Sequence, residues 1–234
     1  MSTSIIVTGS AGALGSAVAR HLVGRGHRVA GLDHPRAEAR LAALKGELGD
    51  AYLGIAADVG TAAGWEAALA RTAELGPVAG AVLTVGGWSG GAPLASEADG
   101  TFERMVESNL STVHLALRVL LPGMVERKAG SVVVIGSRAV ERPWTSAGAA
   151  SYAASKAGAV ALAQAAAAEV LEAGVRINAV LPSTIDTPAN RAAMPDADAS
   201  RWVAPEAIAK VIAFLLSEDS GPISGAAIPV YGRA

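Results

Sequence analysis

From Ser4 to Val230 the chain alternates short apolar runs with longer helix-forming segments, and this alternation restricts the fold more than any other feature. The runs are Ser4 to Thr8, Arg28 to Asp33, Ala51 to Ala57, Val78 to Val85, Ser131 to Ile135, Val175 to Leu181 and Ala226 to Val230. They are almost continuously apolar or small, as strands covered on both faces are. Helix-like sequence fills residues 14–24, 37–48, 62–75, 98–124, 149–173 and 205–216. Strand, helix, strand in repetition predicts an α/β fold: a three-layer, doubly wound parallel sheet of about seven strands. A chain of 234 residues fits one domain with one large core, and neither a linker nor an internal repeat divides it. In such a sheet ligands bind beyond the carboxyl ends of the strands, so those ends are where functional residues are sought.

The first strand end is the most informative. Thr8-Gly9-Ser10-Ala11-Gly12-Ala13-Leu14-Gly15 joins a strand to a helix. Glycines there allow a tight turn and a close approach of backbone to a pyrophosphate at the positive helix N-terminus. The second strand ends in Asp33, 18 residues after Gly15, near the separation of an acid that hydrogen-bonds an adenosine ribose. A carboxylate repels a 2′-phosphate, which favours NAD over NADP, although Arg36 and Arg40 lie close by. The other reading of Asp33 is a helix cap before Pro35. Asp58-Val59 ends the third strand, with an adenine contact or a cap as the two readings. Gly86-Gly87 ends the fourth, where bare backbone would admit a cofactor ribose or simply form a loose loop.

Asn109 falls inside the predicted 98–124 helix, where Asn is a poor residue, so it is either specialised or merely exposed. Ser137 follows the fifth strand. Tyr152 and Lys156 are four apart in an alanine-rich helix and share one face. A Lys ammonium one turn away would lower the Tyr pKa and allow proton exchange near neutrality; the plain alternative is an amphipathic helix. Residues 183–201 contain two further prolines after Pro182 and little periodicity, which reads as a substrate lid. Trp88, Trp144, Met194 and Trp202 would either line a pocket under it or belong to the core.

Composition removes several other classes. There is no Cys, hence no thiolate metal site or Cys nucleophile, and the four His show no metal-ligand spacing. A net charge of −2 does not suit a nucleic-acid binder. No run is long enough for a membrane span, and the N-terminus lacks the basic flank of a signal peptide. A cytoplasmic protein is the expectation, with no metal, nucleic acid or membrane as partner.

Assembled in this order, Thr8-Gly9…Gly15, Asp58-Val59, Asn109, Ser137, Tyr152-x-x-x-Lys156 and Pro182…Thr187 resemble the short-chain dehydrogenase/reductase family over nearly the whole chain. The resemblance implies a Rossmann-type fold, a nicotinamide cofactor, a small-molecule ketone or secondary alcohol as substrate, and a homodimer or homotetramer. It implies Asn109, Ser137, Tyr152 and Lys156 as the catalytic tetrad. Tyr152 would be the general acid or base, Ser137 would hold the substrate oxygen, and Asn109 would anchor a water serving Lys156. Cofactor contacts are implied for Gly9, Ala11, Gly12, Leu14, Gly15, Asp33, Asp58, Val59, Gly86, Gly87, Tyr152, Lys156, Pro182, Ile185 and Thr187.

The chain departs from the family pattern at several points. Ala13 replaces a glycine, with Gly12 one place early. Thr84-Val85-Gly86-Gly87 replaces Asn-Asn-Ala-Gly. Ser183 stands where a glycine follows Pro182. Ser137 lies 15 residues before Tyr152 rather than 13, which leaves Ser146 as a stand-in. Gly86-Gly87-Trp88 and the stretch from Leu181 to Asp198 resemble dihydropteridine reductases, which use NADH but generally lack the serine. A pterin reductase is therefore the alternative enzyme, and a non-catalytic dinucleotide-binding sensor the alternative of another class.

Overall fold

The computed structural model describes residues 3–233 and has seven parallel strands in the order β3-β2-β1-β4-β5-β6-β7. The strands are β1 (Ser4–Thr8), β2 (Arg28–Asp33), β3 (Tyr52–Ala56), β4 (Val78–Leu83), β5 (Gly130–Ile135), β6 (Val175–Pro182) and β7 (Ala227–Val230). The helices are α1 (Ala13–Gly24), α2 (Glu38–Leu48), α3 (Ala62–Thr72), α4 (Thr101–Val106), α5 (Thr112–Glu126), α6 (Ala150–Val170), α7 (Pro188–Ala193) and α8 (Pro205–Leu216). This is a Rossmann-type α/β fold. Every neighbouring strand pair is parallel, so each connection is a crossover, and the crossovers cover both faces of the sheet.

The two-residue period of a strand divides the core. Ile5 and Val7 join Leu14, Val18, Leu22, Leu41, Ile208, Ile212 and Leu215, so α1, α2 and α8 cover one face. Ile6 joins Leu32, Trp65, Leu83, Val113, Leu117, Ala159 and Ala163, so α3, α5 and α6 cover the other. Ile208, Ile212 and Leu215 recur at helical spacing and are wholly buried, each worth about 1.5–3 kcal/mol. The chain passes from β1 through β2 to β3 in one direction, then returns to place β4 on the other side of β1. A crevice opens at that reversal, between the carboxyl ends of β1 and β4.

Two segments differ from the sequence expectation. The predicted 98–124 helix is α4 and α5 joined by a π turn over Glu107–Ser111, with Pro122 inside α5. The 183–201 segment is not structureless. It carries α7, capped by Thr187 and begun by Pro188, and Ile185 bridges Val203. Threonine followed by proline is a helix start, so that signal lay in the sequence. No helix among the described residues is long and apolar enough to cross a membrane.

Candidate active site

Gly9 has a left-handed backbone (φ 63°), and a Cβ there would lie 2.8 Å from Thr84 Oγ1. The turn closes through Gly12 N donating to the Gly9 carbonyl at 2.9 Å. A Cβ on Gly15 would sit 2.2 Å from that same carbonyl, so only glycine fits where α1 packs onto the turn. No side chain caps the N-terminus of α1, and no acid lies in its first turn. The N–H groups there meet no competing side chain, so the turn suits an anionic diphosphate. Ala13 is exposed at the helix start, so its methyl displaces nothing, while Leu14 is buried beneath.

Asp33 is not a helix cap. Its Oδ2 accepts from Ala11 N at 2.9 Å and its Oδ1 from His34 N at 2.8 Å, while His34 Nδ1 accepts from Arg36 N instead. The acid is thereby fixed against the glycine turn and stays half-buried at the crevice. Asp58 is exposed and accepts from Gly60 N; Val59 is buried and its carbonyl accepts from Trp65 Nε1. A cleft of about 610 Å³ runs past Asp33, Asp58, Val59, Gly87 and Trp88. Its size and its acidic, glycine-lined wall fit a dinucleotide's adenosine half. Trp88 is exposed and lines this cleft, whereas Trp144 is an exposed surface residue.

On the other side of the crevice Asn109 sits in the π turn, wholly buried. Its Oδ1 accepts from Gly87 N at 2.9 Å, and its Nδ2 donates to the Gly87 carbonyl at 3.1 Å and to Ser155 Oγ at 3.0 Å. Asn109 therefore ties the β4 loop to α6. It is specialised rather than exposed, and the π turn carries it there. A Cβ on Gly86 would meet Asn109 Oδ1 at 2.5 Å and Lys156 Nζ at 3.0 Å. Ser151, beside Tyr152, donates to Glu97 Oε2 and anchors the same loop a second time.

Lys156 is buried, and its Nζ donates to the Ile135 carbonyl at 2.9 Å. Burial lowers its pKa to about 8. Burial also pushes the Tyr152 hydroxyl above its ordinary value, and a hydrogen bond with Ser137 only partly opposes this. That corrects the expectation that Lys156 would lower the Tyr152 pKa: in this cleft desolvation wins, and the ammonium is turned to a carbonyl. Tyr152 is protonated at neutral pH. The contact with Ser137, rather than Ser146, answers the unusual spacing. Ser137 Oγ also accepts from Ala139 N and so is fixed at the end of β5.

Pro182 is buried at the end of β6. Ile185 is half-buried, and Thr187 Oγ1 accepts from Asn190 N, so both are engaged in the start of α7. Sequence reasoning missed Ser10, Tyr52, Ser155 and Glu97. Of these Ser10 and Ser155 carried a signal, as parts of the glycine turn and of the Tyr152 motif. Among the described residues no three His, Asp or Glu cluster as metal ligands.

A sequence profile described as short chain dehydrogenase matches residues 3–198. The 3-oxoacyl-[acyl-carrier-protein] reductase MabA of Mycobacterium tuberculosis is 34% identical over 99% of this chain and 92% of its own. An acetoacetyl-CoA reductase of Synechocystis is 34% identical over 97% and 94%. The solved structure of a Brucella melitensis 3-oxoacyl-[acyl-carrier protein] reductase with bound NAD superposes with a TM-score of 0.86. It is 28% identical and covers 98% of this chain and 90% of that one.

Proposed function

We propose, from the premise that this chain belongs to the short-chain dehydrogenase family, that it is an NAD(P)-dependent oxidoreductase reducing a ketone, with Tyr152 as its general acid. The observation that carries the reading is the half-buried, protonated Tyr152, whose hydroxyl lies within reach of Ser137 beside the crevice. When bound, the nicotinamide cofactor supplies or accepts the hydride.

The chain's own residues do the rest. Gly9, Ala11, Gly12, Leu14 and Gly15 form the diphosphate turn; Asp33 takes the ribose, and Asp58 and Val59 the adenine. Gly86 and Gly87 admit the second ribose, with Tyr152 and Lys156 beside it, and Pro182, Ile185 and Thr187 take the carboxamide. Ser137 and Tyr152 present two hydroxyls to one substrate oxygen, which is what a developing alkoxide needs. Tyr152 gives that oxygen its proton in reduction and takes it back in oxidation. Lys156 holds positive charge beneath the pair below about pH 8. Asn109 fixes the loop that closes over them, and the water it would anchor belongs to this reading. The carboxylate of Asp33 favours NAD over NADP. Residues 183–201 act as the substrate lid of a single domain.

The relatives named above reduce ketones on acyl thioesters, so a 3-oxoacyl thioester is the first substrate to try. That also favours the ketone over a pterin, for which Ser137 would be superfluous. A homodimer or homotetramer through α5 and α6 goes with this reading; light scattering that gives a monomer would remove that part. The test is turnover of acetoacetyl-CoA with NADH and with NADPH. Oxidation of either dinucleotide supports the reading, and NADH preference supports the role of Asp33. Binding without turnover of any ketone points to a sensor instead.

A further inference from the structure

The ring of Tyr52 lies across the face of the sheet rather than into a helix layer alone. Tyr52 begins β3 and is wholly buried, and its register partner on β2 is Val29. A Cβ on Gly31 would lie 2.5 Å from Tyr52 Cε2 and 2.1 Å from its hydroxyl oxygen, and a Cβ on Gly54 would lie 3.4 Å from Cε1. Glycine at position 31 clears a path across β2 toward the end of β1. At the end of that path the hydroxyl meets Ser10 Oγ at 2.6 Å, and Ser10 is also wholly buried. Two hydroxyls hidden from water satisfy each other, although a Phe would fill the same space without that requirement.

Ser10 belongs to the glycine turn. Its N–H donates to the Leu32 carbonyl at 3.1 Å, and the next N–H, of Ala11, donates to Asp33 Oδ2. The segment 10–12 is thus docked on the end of β2 by two backbone donors and held from within the core by one hydroxyl pair. We infer that Tyr52 is a positioning residue for the dinucleotide, acting through Ser10 to hold both the diphosphate turn and the orientation of Asp33. Losing the pair frees Ser10, shifts Ala11 N and loosens the acid that it fixes. The inference rests on the proposed function, since it needs a dinucleotide in the crevice.

The experiment compares wild type with Tyr52→Phe, Ser10→Ala and the double variant. NADH and NADPH binding is read by tryptophan fluorescence quenching, alongside the thermal midpoint of the protein alone and turnover with saturating cofactor. Tyr52→Phe should weaken dinucleotide binding about tenfold, the size of one buried hydrogen bond. Turnover at saturating cofactor and the ketone KM should stay unchanged, and the double variant should bind no worse than the weaker single one. Unchanged binding with a lowered thermal midpoint would overturn the inference and leave Tyr52 as a core residue. Additive losses in the double variant would overturn it as well. Wild type binding neither dinucleotide would refute the proposed function itself, and this inference with it.

Discussion

On the β1–β2–β3 side of the crevice the buried polar side chains include Thr8, Ser10 and Tyr52, all neutral. On the β4–β5–β6 side the fold buries Lys156, together with Asn109, Ser151 and Ser155. The first side is assembled from close backbone approaches and one hydroxyl pair, which fix shape at little electrostatic cost. The second side carries a desolvated ammonium and a π turn, both costly to fold. A site that binds by shape can be built from satisfied neutral groups. A site that moves a proton needs groups held away from their ordinary pKa values, and on the proposed reading the fold bears that cost beneath Tyr152.

Substitutions on the two sides should therefore differ in kind. The largest effect is expected from Gly15→Ala, whose methyl would meet the Gly9 carbonyl at 2.2 Å. Dinucleotide affinity should fall roughly 100-fold, equivalent to about 3 kcal/mol, as read by fluorescence titration. Affinity within threefold of wild type would show that the turn does not bind the cofactor.

Asn109→Leu comes next, since it strands both the N–H and the carbonyl of Gly87. A loss of about 2 kcal/mol in urea unfolding is expected, with turnover falling more than cofactor affinity. Equal loss of both would erase the distinction between the two sides.

Lys156→Met should do the opposite to stability. Lowering the pKa from 10.5 to about 8 costs the fold up to about 3 kcal/mol at neutral pH. Stranding the Ile135 carbonyl takes back part of the gain, leaving a net increase of about 1 kcal/mol at pH 7, while turnover collapses. Because the folded pKa is depressed, the unfolded chain binds more protons between about pH 8 and 10.5. Wild-type stability therefore recovers with rising pH there, and the variant's advantage should shrink over that window in thermal melts. An advantage that grew instead would mean that Lys156 is not held below its ordinary pKa.

The strands and their ends were legible because each depends on local sequence: an apolar run, then Gly9, Asp33 or Ser137. Asn109 was legible only as an anomaly. Its π turn is sustained by Gly87 and Ser155, 22 and 46 residues away in sequence, and no local pattern encodes such partners. The pair of Ser10 and Tyr52, 42 residues apart, was hidden for the same reason. The direction of the Tyr152 shift escaped because helical spacing places Lys156 nearby but says nothing of how deeply either group is buried. Burial is set by the whole sheet, and it outweighs the neighbour. α7 was overlooked although Thr187-Pro188 announces it, since the prolines around it read as a loop.

The most direct test of the account is Tyr152→Phe, followed by NADH titration and ketone turnover on the same preparation. Trp88, exposed in the cleft, gives the binding signal. The account predicts cofactor affinity close to wild type and a rate lowered roughly 10²–10⁴-fold, as expected when a general acid is removed. Turnover that survives the substitution would contradict the assignment of Tyr152, and affinity lost in step with turnover would contradict the division of the crevice into a binding side and a proton-transfer side.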